Sequence, residues 1–211
     1  MKLQFPQPKT IQQKIALWTG AALLATITAF VLFSSYNARN EAIENAKATA
    51  TYIATVEAGK VKAEIEQAMI AARTTGEALK QIKNKTNPIS LTRDQVNAML
   101  KSVNESHPQF IGVYTNWEPN AFDGRDSEFI NKPGHDKTGR FLPYWEKNAS
   151  GGVQVTALVD YDKEGPGDYY QIPKRTKQQS IVGPYEYPVA GKIVTMASLL
   201  EPIVVDGEFY A

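Results

Sequence analysis

Between Ile15 and Phe33 the chain reads IALWTGAALLATITAFVLF: nineteen residues, fifteen of them Ala, Val, Ile, Leu, Phe or Trp and none charged. At a helical rise of about 1.5 Å per residue the run reaches roughly 28 Å, the thickness of a bilayer core. It is apolar on every face, so a packed soluble helix does not explain it. It is also longer than the roughly 7–15-residue core of a cleaved signal peptide. The pattern predicts an uncleaved membrane helix over 15–36.

The pattern then changes without a turn. Over 37–86 small and branched apolar residues such as Ile43, Ala46, Ala50, Ile53, Val61, Ile65, Ala68, Ala72, Leu79 and Ile82 recur mostly at steps of three and four, charged residues fill much of the rest, and no proline intervenes before Pro88. This predicts one long amphipathic stalk helix. Its alanine-rich stripe packs along its own domain or against a second copy, with the membrane-near half the expected homodimer contact.

Beyond Asn87-Pro88 the periods are mixed. Thr92 followed by Gln95 is a capping-box signal for a helix over about 93–104, and Phe110–Thr115 reads as a strand. Residues 116–152 are rich in Gly and Pro and read as loop, apart from a short aromatic helix expected around 141–149. Val153–Val159 and Lys192–Leu200 are strand candidates, Gly165-Pro166-Gly167 is a turn, and Asp206-Gly207 is a hairpin signal. The expected class is α/β, with 87–200 as the main module and 201–211 as the start of another. A last strand that stops at Ala211 reads as the front part of a larger protein.

Charge sets the expected direction. Lys2, Lys9 and Lys14 precede the span with no acid among residues 1–14, whereas Arg39, Glu41, Glu44 and Lys47 follow it. The positive-inside tendency then puts 1–14 in the cytoplasm and the body outside it, in the periplasm. ATP and reduced nicotinamide are not routinely supplied there. A net charge of +1 gives no support to nucleic-acid binding. With no cysteine, thiol catalysis, Cys-ligated metals and disulfides are excluded.

Polar and aromatic residues crowd together after Tyr114. Residues 117–170 carry ten acids against six basic residues, interleaved with aromatics that include Trp117, Tyr144, Trp145, Tyr161, Tyr169 and Tyr170. Carboxylates among aromatic rings suit an organic cation, although acidic loops and aromatic cores are also ordinary structural features. Asp160 and Asp162 form an acid–base pair, a ligand cage or simple loop acids. His107 and His135 lack spaced partners, so no metal or cofactor is expected. Motifs for serine hydrolysis, phosphate binding or zinc peptidase chemistry are absent, and no catalytic residue is assigned. An anchored hydrolase using Asp160 or Asp168 is the enzymatic alternative.

Several motifs resemble the double Cache sensor domain of bacterial methyl-accepting chemotaxis proteins: Trp117-Glu118-Pro119-Asn120-Ala121-Phe122-Asp123-Gly124-Arg125-Asp126, Gly134 through Trp145, Gly167-Asp168-Tyr169-Tyr170, and Pro184-Tyr185-Glu186-Tyr187-Pro188. The resemblance implies a PAS-like antiparallel sheet that binds a small molecule outside the cytoplasm. It also implies signalling to a kinase through a HAMP linker and a cytoplasmic hairpin that would follow these residues. Sensor kinases and cyclases use related domains.

Against the amino-acid-binding branch, Leu142 stands where a second arginine would be and Tyr187 where an aspartate would be. Losing both anchors disfavours free amino acids and implies an amine or polyamine. The resemblance assigns Tyr144 and Trp145 as an aromatic wall and Asp160, Asp162 and Asp168 as ammonium acceptors. It makes Tyr114 and Tyr187 orienting groups and leaves Arg140 available to an anion. Asp123 and Arg125 are expected to pair across their loop.

Overall fold

With no proline between Pro8 and Pro88 to interrupt it, the apolar segment and the alanine-rich segment form one helix, α1 (Ile11–Lys80). The structure, a computed structural model, describes residues 10–148 and 150–211. It contains two compact units, 1–61 and 62–211. Lys2 and Lys9 lie outside the described residues.

In the first unit α1 presents large apolar side chains to its surroundings, Trp18 and Phe30 among them at 73% and 71% exposure. The Thr19, Thr26 and Thr28 hydroxyls donate to the carbonyls of Ile15, Ala22 and Leu24 one turn earlier. The polar groups of the apolar stretch are thereby satisfied within the helix, as a hydrocarbon environment requires. Among the described residues this is the one helix long and apolar enough to cross a membrane.

In the second unit α1 ends in a 3₁₀ turn, Gln81–Lys83, and the Asn84 side chain accepts from the Thr86 and Asn87 N–H groups. The expected capping box starts α2 (Arg93–Ser106): the Gln95 N–H donates to Thr92, and the Thr92 N–H to the Gln95 side chain. A first antiparallel ladder has the order β1 (Gly112–Tyr114), β2 (Pro143–Lys147), β3 (Val153–Ala157). Helix α3 (Asp168–Thr176) then leads to a long hairpin of β4 (Ser180–Val189) and β5 (Lys192–Leu200). The expected turn joins β6 (Val204–Val205) to β7 (Glu208–Phe209), with Asp206 and Gly207 at φ of 50° and 79°.

Two expectations are corrected. The aromatic segment around 141–149 is strand β2 rather than a helix, because Tyr144, Trp145 and Glu146 pair on one side with β1 and on the other with β3. Burial between two strands overrides local preference. The Asp123–Arg125 ion pair does not form. Asp123 and Asp126 both bind Arg93, at 2.6 and 2.7 Å, while Arg125 pairs with Glu128 at 2.5 Å.

Two apolar clusters result. One gathers Leu79, Val96, Leu100, Trp117, Phe122, Phe141 and Ile203, so α1, α2 and the loop after β1 share a core. The Arg93 guanidinium lies 4.2 Å from the Phe129 ring centroid beside this core. Tyr210, after β7, packs against it too, and its carbonyl accepts from the Glu118 N–H. The second cluster is mostly tyrosine and carries the candidate site.

Candidate functional site

Strand register brings the tyrosines together. Tyr114 on β1 is directly opposite Tyr144 on β2, so both leave the same face of the ladder. On β4 the two-residue period puts Tyr185 and Tyr187 on one face, and α3 contributes Tyr169 from its first turn. The rings meet edge to face, with centroids 5.7 Å apart for Tyr114–Tyr169, Tyr144–Tyr187 and Tyr169–Tyr187, and 6.1 Å for Tyr114–Tyr144. Tyr185 stacks on Tyr169 at 6.3 Å.

The hydroxyls differ in how they are satisfied. Tyr169 donates to the Val159 carbonyl, and Tyr187 accepts from the Val159 N–H at 3.0 Å. Tyr185 and Ser198 share a 2.5 Å contact. The Tyr144 hydroxyl is buried without a partner, and Tyr114 has Ser198 nearby but no well-formed hydrogen bond. Burial pushes the pKa of all five above the ordinary phenol value, so they remain neutral donors across the physiological range.

Glu146 lies two residues beyond Tyr144 and therefore on the same face. It is 3% exposed. One carboxylate oxygen accepts from the Gln154 amide at 2.9 Å and the other from the Ala190 N–H at 3.1 Å. None of the ion pairs among the described residues includes it. Its charge raises the pKa of both Tyr144 and Tyr187, though less than burial does. A buried carboxylate with no basic side chain paired to it among the described residues, at the edge of a tyrosine cluster, suits a positive group. Sequence reading passed over Glu146 because its segment was read as a helix, in which the two-residue alternation is invisible.

The other expected residues are placed as follows. Trp145 leaves the opposite face from Tyr144, against the α2 core, with its indole N–H donating to Asn97 at 3.0 Å. Asp160 sits in the turn after β3 with φ of 59° and pairs with Lys163 at 2.6 Å; Asp162 is exposed. Asp168 opens α3 and accepts from the Gly165 N–H. The structure thus brings together Tyr114, Tyr144 and Tyr187. It does not bring the three aspartates into hydrogen-bonding contact with them. Arg140, 5% exposed, donates to the Trp117 carbonyl and the Tyr170 hydroxyl and lies over the Tyr161 and Tyr170 rings at 4.7 and 4.8 Å. Its guanidinium is committed to the fold.

Comparison with known proteins fits this architecture. The methyl-accepting chemotaxis protein TlpQ of Pseudomonas aeruginosa is 25% identical over 225 residues, covering 94% of this chain and 32% of that protein. The extracellular domain of mmHK1S-Z3, which is named as a histidine kinase, matches with a TM-score of 0.61 and 36% identity, over 72% of this chain and 51% of that one. A structure named methyl-accepting chemotaxis protein X gives 0.63 and 26%, over 74% and 56%. No family model matches. The chain spans about a third of the curated relative and about half of the solved domains. The fold is a mixed helix and antiparallel-sheet arrangement with a long apolar N-terminal helix, similar to the extracellular domain of that histidine kinase.

Proposed function

We propose that this chain is the sensing region of a membrane receptor whose residues 62–211 bind a small organic cation, an amine or polyamine, outside the cytoplasm. The observation that supports this most directly is Glu146, a buried carboxylate with two neutral donors and no basic side chain paired to it among the described residues, beside Tyr144 and Tyr187. An ammonium there would gain a charge-assisted hydrogen bond and the faces of neighbouring rings, worth about 0.5–2 kcal/mol for a ring contact.

In this structure the rings touch one another, so entry of a ligand must part them. They stand on β1, β2, β4 and α3, and separating them shifts those elements relative to one another. A ligand that binds only the parted arrangement changes its population by its differential affinity. The helix α1 is the element through which such a shift would pass toward a bilayer. A chemoreceptor and a sensor kinase are both compatible outputs.

The test is calorimetry on the full chain in nanodiscs, with putrescine and spermidine as probes and acetate and alanine as comparisons. Putrescine or spermidine should bind, and Glu146→Gln should weaken that binding at least tenfold without loss of fold. Binding of the acid or the amino acid in place of the amines would reject the cation reading. Because the chain contains no native cysteine, Ser90→Cys reports its side of the membrane. Labelling in intact spheroplasts by an impermeant maleimide is expected, and protection until lysis would put the body in the cytoplasm.

A further inference from the structure

The candidate site has a second end. A cavity of about 350 Å³ runs along the β1–β2 ladder, between β1, the 196–200 end of β5 and the 68–72 stretch of α1, all within residues 62–211. Gly112, Tyr114 and Asn116 line it from one strand and Tyr144 from the next. Gly112 is directly opposite Glu146, and Tyr114 is opposite Tyr144. The ladder bonding continues past β1, since the Thr115 and Trp117 N–H groups donate to the Pro143 and Phe141 carbonyls. Val113 and Trp117 turn to the α2 core, so Gly112, Tyr114 and Asn116 share the site face. The Glu146 end and the Asn116 end are thus four residues apart, about 13 Å along the strand.

The two ends differ in charge. Asn116 is 5% exposed, and neither its amide nitrogen nor its amide oxygen has a hydrogen bond among the described residues. The Tyr114 and Tyr144 hydroxyls between the ends are buried and unpartnered as well. Buried polar atoms in folded proteins are nearly always paired, so a group of unmet ones around a single cavity marks where a ligand's polar atoms belong. All of these are neutral groups that donate and accept. Of the acids in the lining, Glu64 is exposed and Glu201 accepts from Gln179. An ammonium beside Asn116 would exchange water for neutral partners, a cost that a neutral amide does not carry.

We propose that the site is built for a mono-N-acylated diamine, with one ammonium, an aliphatic spacer and one neutral secondary amide. This rests on the cation reading of Glu146 and adds the partner for the other end. The ammonium meets Glu146, the spacer passes the Tyr144 ring, and Asn116 donates to the ligand's amide carbonyl while accepting from its N–H. The small α1 residues Ala68 and Ala72 leave room beside it. A four-carbon spacer puts the ammonium nitrogen about 8 Å from the amide oxygen, and a hydrogen bond of about 2.9 Å at each end extends the reach to about 14 Å. That matches the offset between Glu146 and Asn116. Asn116 is therefore the residue that sets the preference for an acylated over a free diamine.

N-acetylputrescine is the probe, compared by calorimetry on the full chain in nanodiscs with putrescine and with butylamine, which keeps the ammonium and spacer but has no amide. N-acetylputrescine should bind at least tenfold more tightly than either. Asn116→Leu should bring it within threefold of butylamine. The wild-type comparison decides the matter if Asn116→Leu does not fold. Putrescine or butylamine binding as tightly as N-acetylputrescine, or a preference that persists in folded Asn116→Leu, would overturn the acyl assignment and leave the Glu146 reading standing. Failure of all three amines to bind would overturn both.

Discussion

Gly112 and Tyr144 occupy one face of the β1–β2 ladder so closely that a Cβ on Gly112 would stand 2.3 Å from Tyr144 Cε2 and 2.7 Å from its Cζ. The glycine is needed for the space above it, where the Tyr144 ring lies. Gly112→Ala must swing that ring away, and with it the edge contacts to Tyr114 and Tyr187. The expected result is a loss of roughly 1–3 kcal/mol of stability from overpacking. Putrescine binding should weaken by tenfold or more, read by thermal unfolding and calorimetry on the same sample. Wild-type behaviour in both would show that the ring has another place to go.

The three aspartates nominated by their position in the sequence should be poor levers on binding. Asp160 is engaged with Lys163, Asp162 faces outward, and Asp168 holds the turn before α3. Asp160→Asn, Asp162→Asn and Asp168→Asn are each expected to change putrescine affinity by less than about threefold, since surface ion pairs contribute little. A drop at one of them comparable to that of Glu146→Gln would transfer the cation contact to that residue.

Trp145 should behave as a core residue. Its ring packs against the Val96 and Leu100 cluster, and its N–H meets Asn97. Trp145→Phe removes that hydrogen bond and part of the packing, which predicts a loss of about 1–3 kcal/mol. Amine affinity should be unchanged, and calorimetry on the folded variant checks this. Reduced affinity at wild-type stability would return Trp145 to the ligand wall.

These contrasts show where sequence reading succeeds and where it stops. The apolar run at 15–33, the Thr92 cap and the Asp206-Gly207 hairpin were legible because each is fixed by neighbours within a few residues. The tyrosines were legible as a class but not as an arrangement. Which face Tyr144, Trp145 and Glu146 occupy depends on pairing with β1 and β3, and a helix assignment erases the alternation that separates Trp145 from the other two. Arg93 was missed for a related reason. Its partners Asp123 and Asp126 are about thirty residues away, and no local spacing joins them. Helix α3 was not legible because Pro173 lies inside it, where proline removes a backbone donor and opposes a helix.

Acid should destabilise the body in two stages, and His135 separates them. Its ring stacks between Phe129 and Phe141, with Nδ1–H donating to the Pro133 carbonyl at 2.8 Å and Nε2 buried without a partner. Burial is the main cause that lowers its pKa, and Arg93 nearby acts in the same direction. The unfolded chain therefore takes up this proton at a higher pH than the folded one does. Stability is fully present above the unfolded histidine value of about 6.5 and declines as pH falls from there toward the depressed folded value. Asp123 and Asp136 behave differently: burial opposes their charge but is outweighed, by Arg93 for Asp123 and by Thr138 and Tyr161 hydrogen bonds for Asp136, so both pKa values lie below the ordinary carboxylate range. Their contribution is complete above about pH 4 and disappears as pH drops through their lowered values. Thermal midpoints of the full chain in detergent between pH 7.5 and 3 should accordingly fall once below about pH 6.5 and again below about pH 4. His135→Phe keeps the stacked packing and removes the proton, so the first decline should vanish while the second stays. A first decline that survives in His135→Phe would assign it to another group and leave His135 uncoupled from stability.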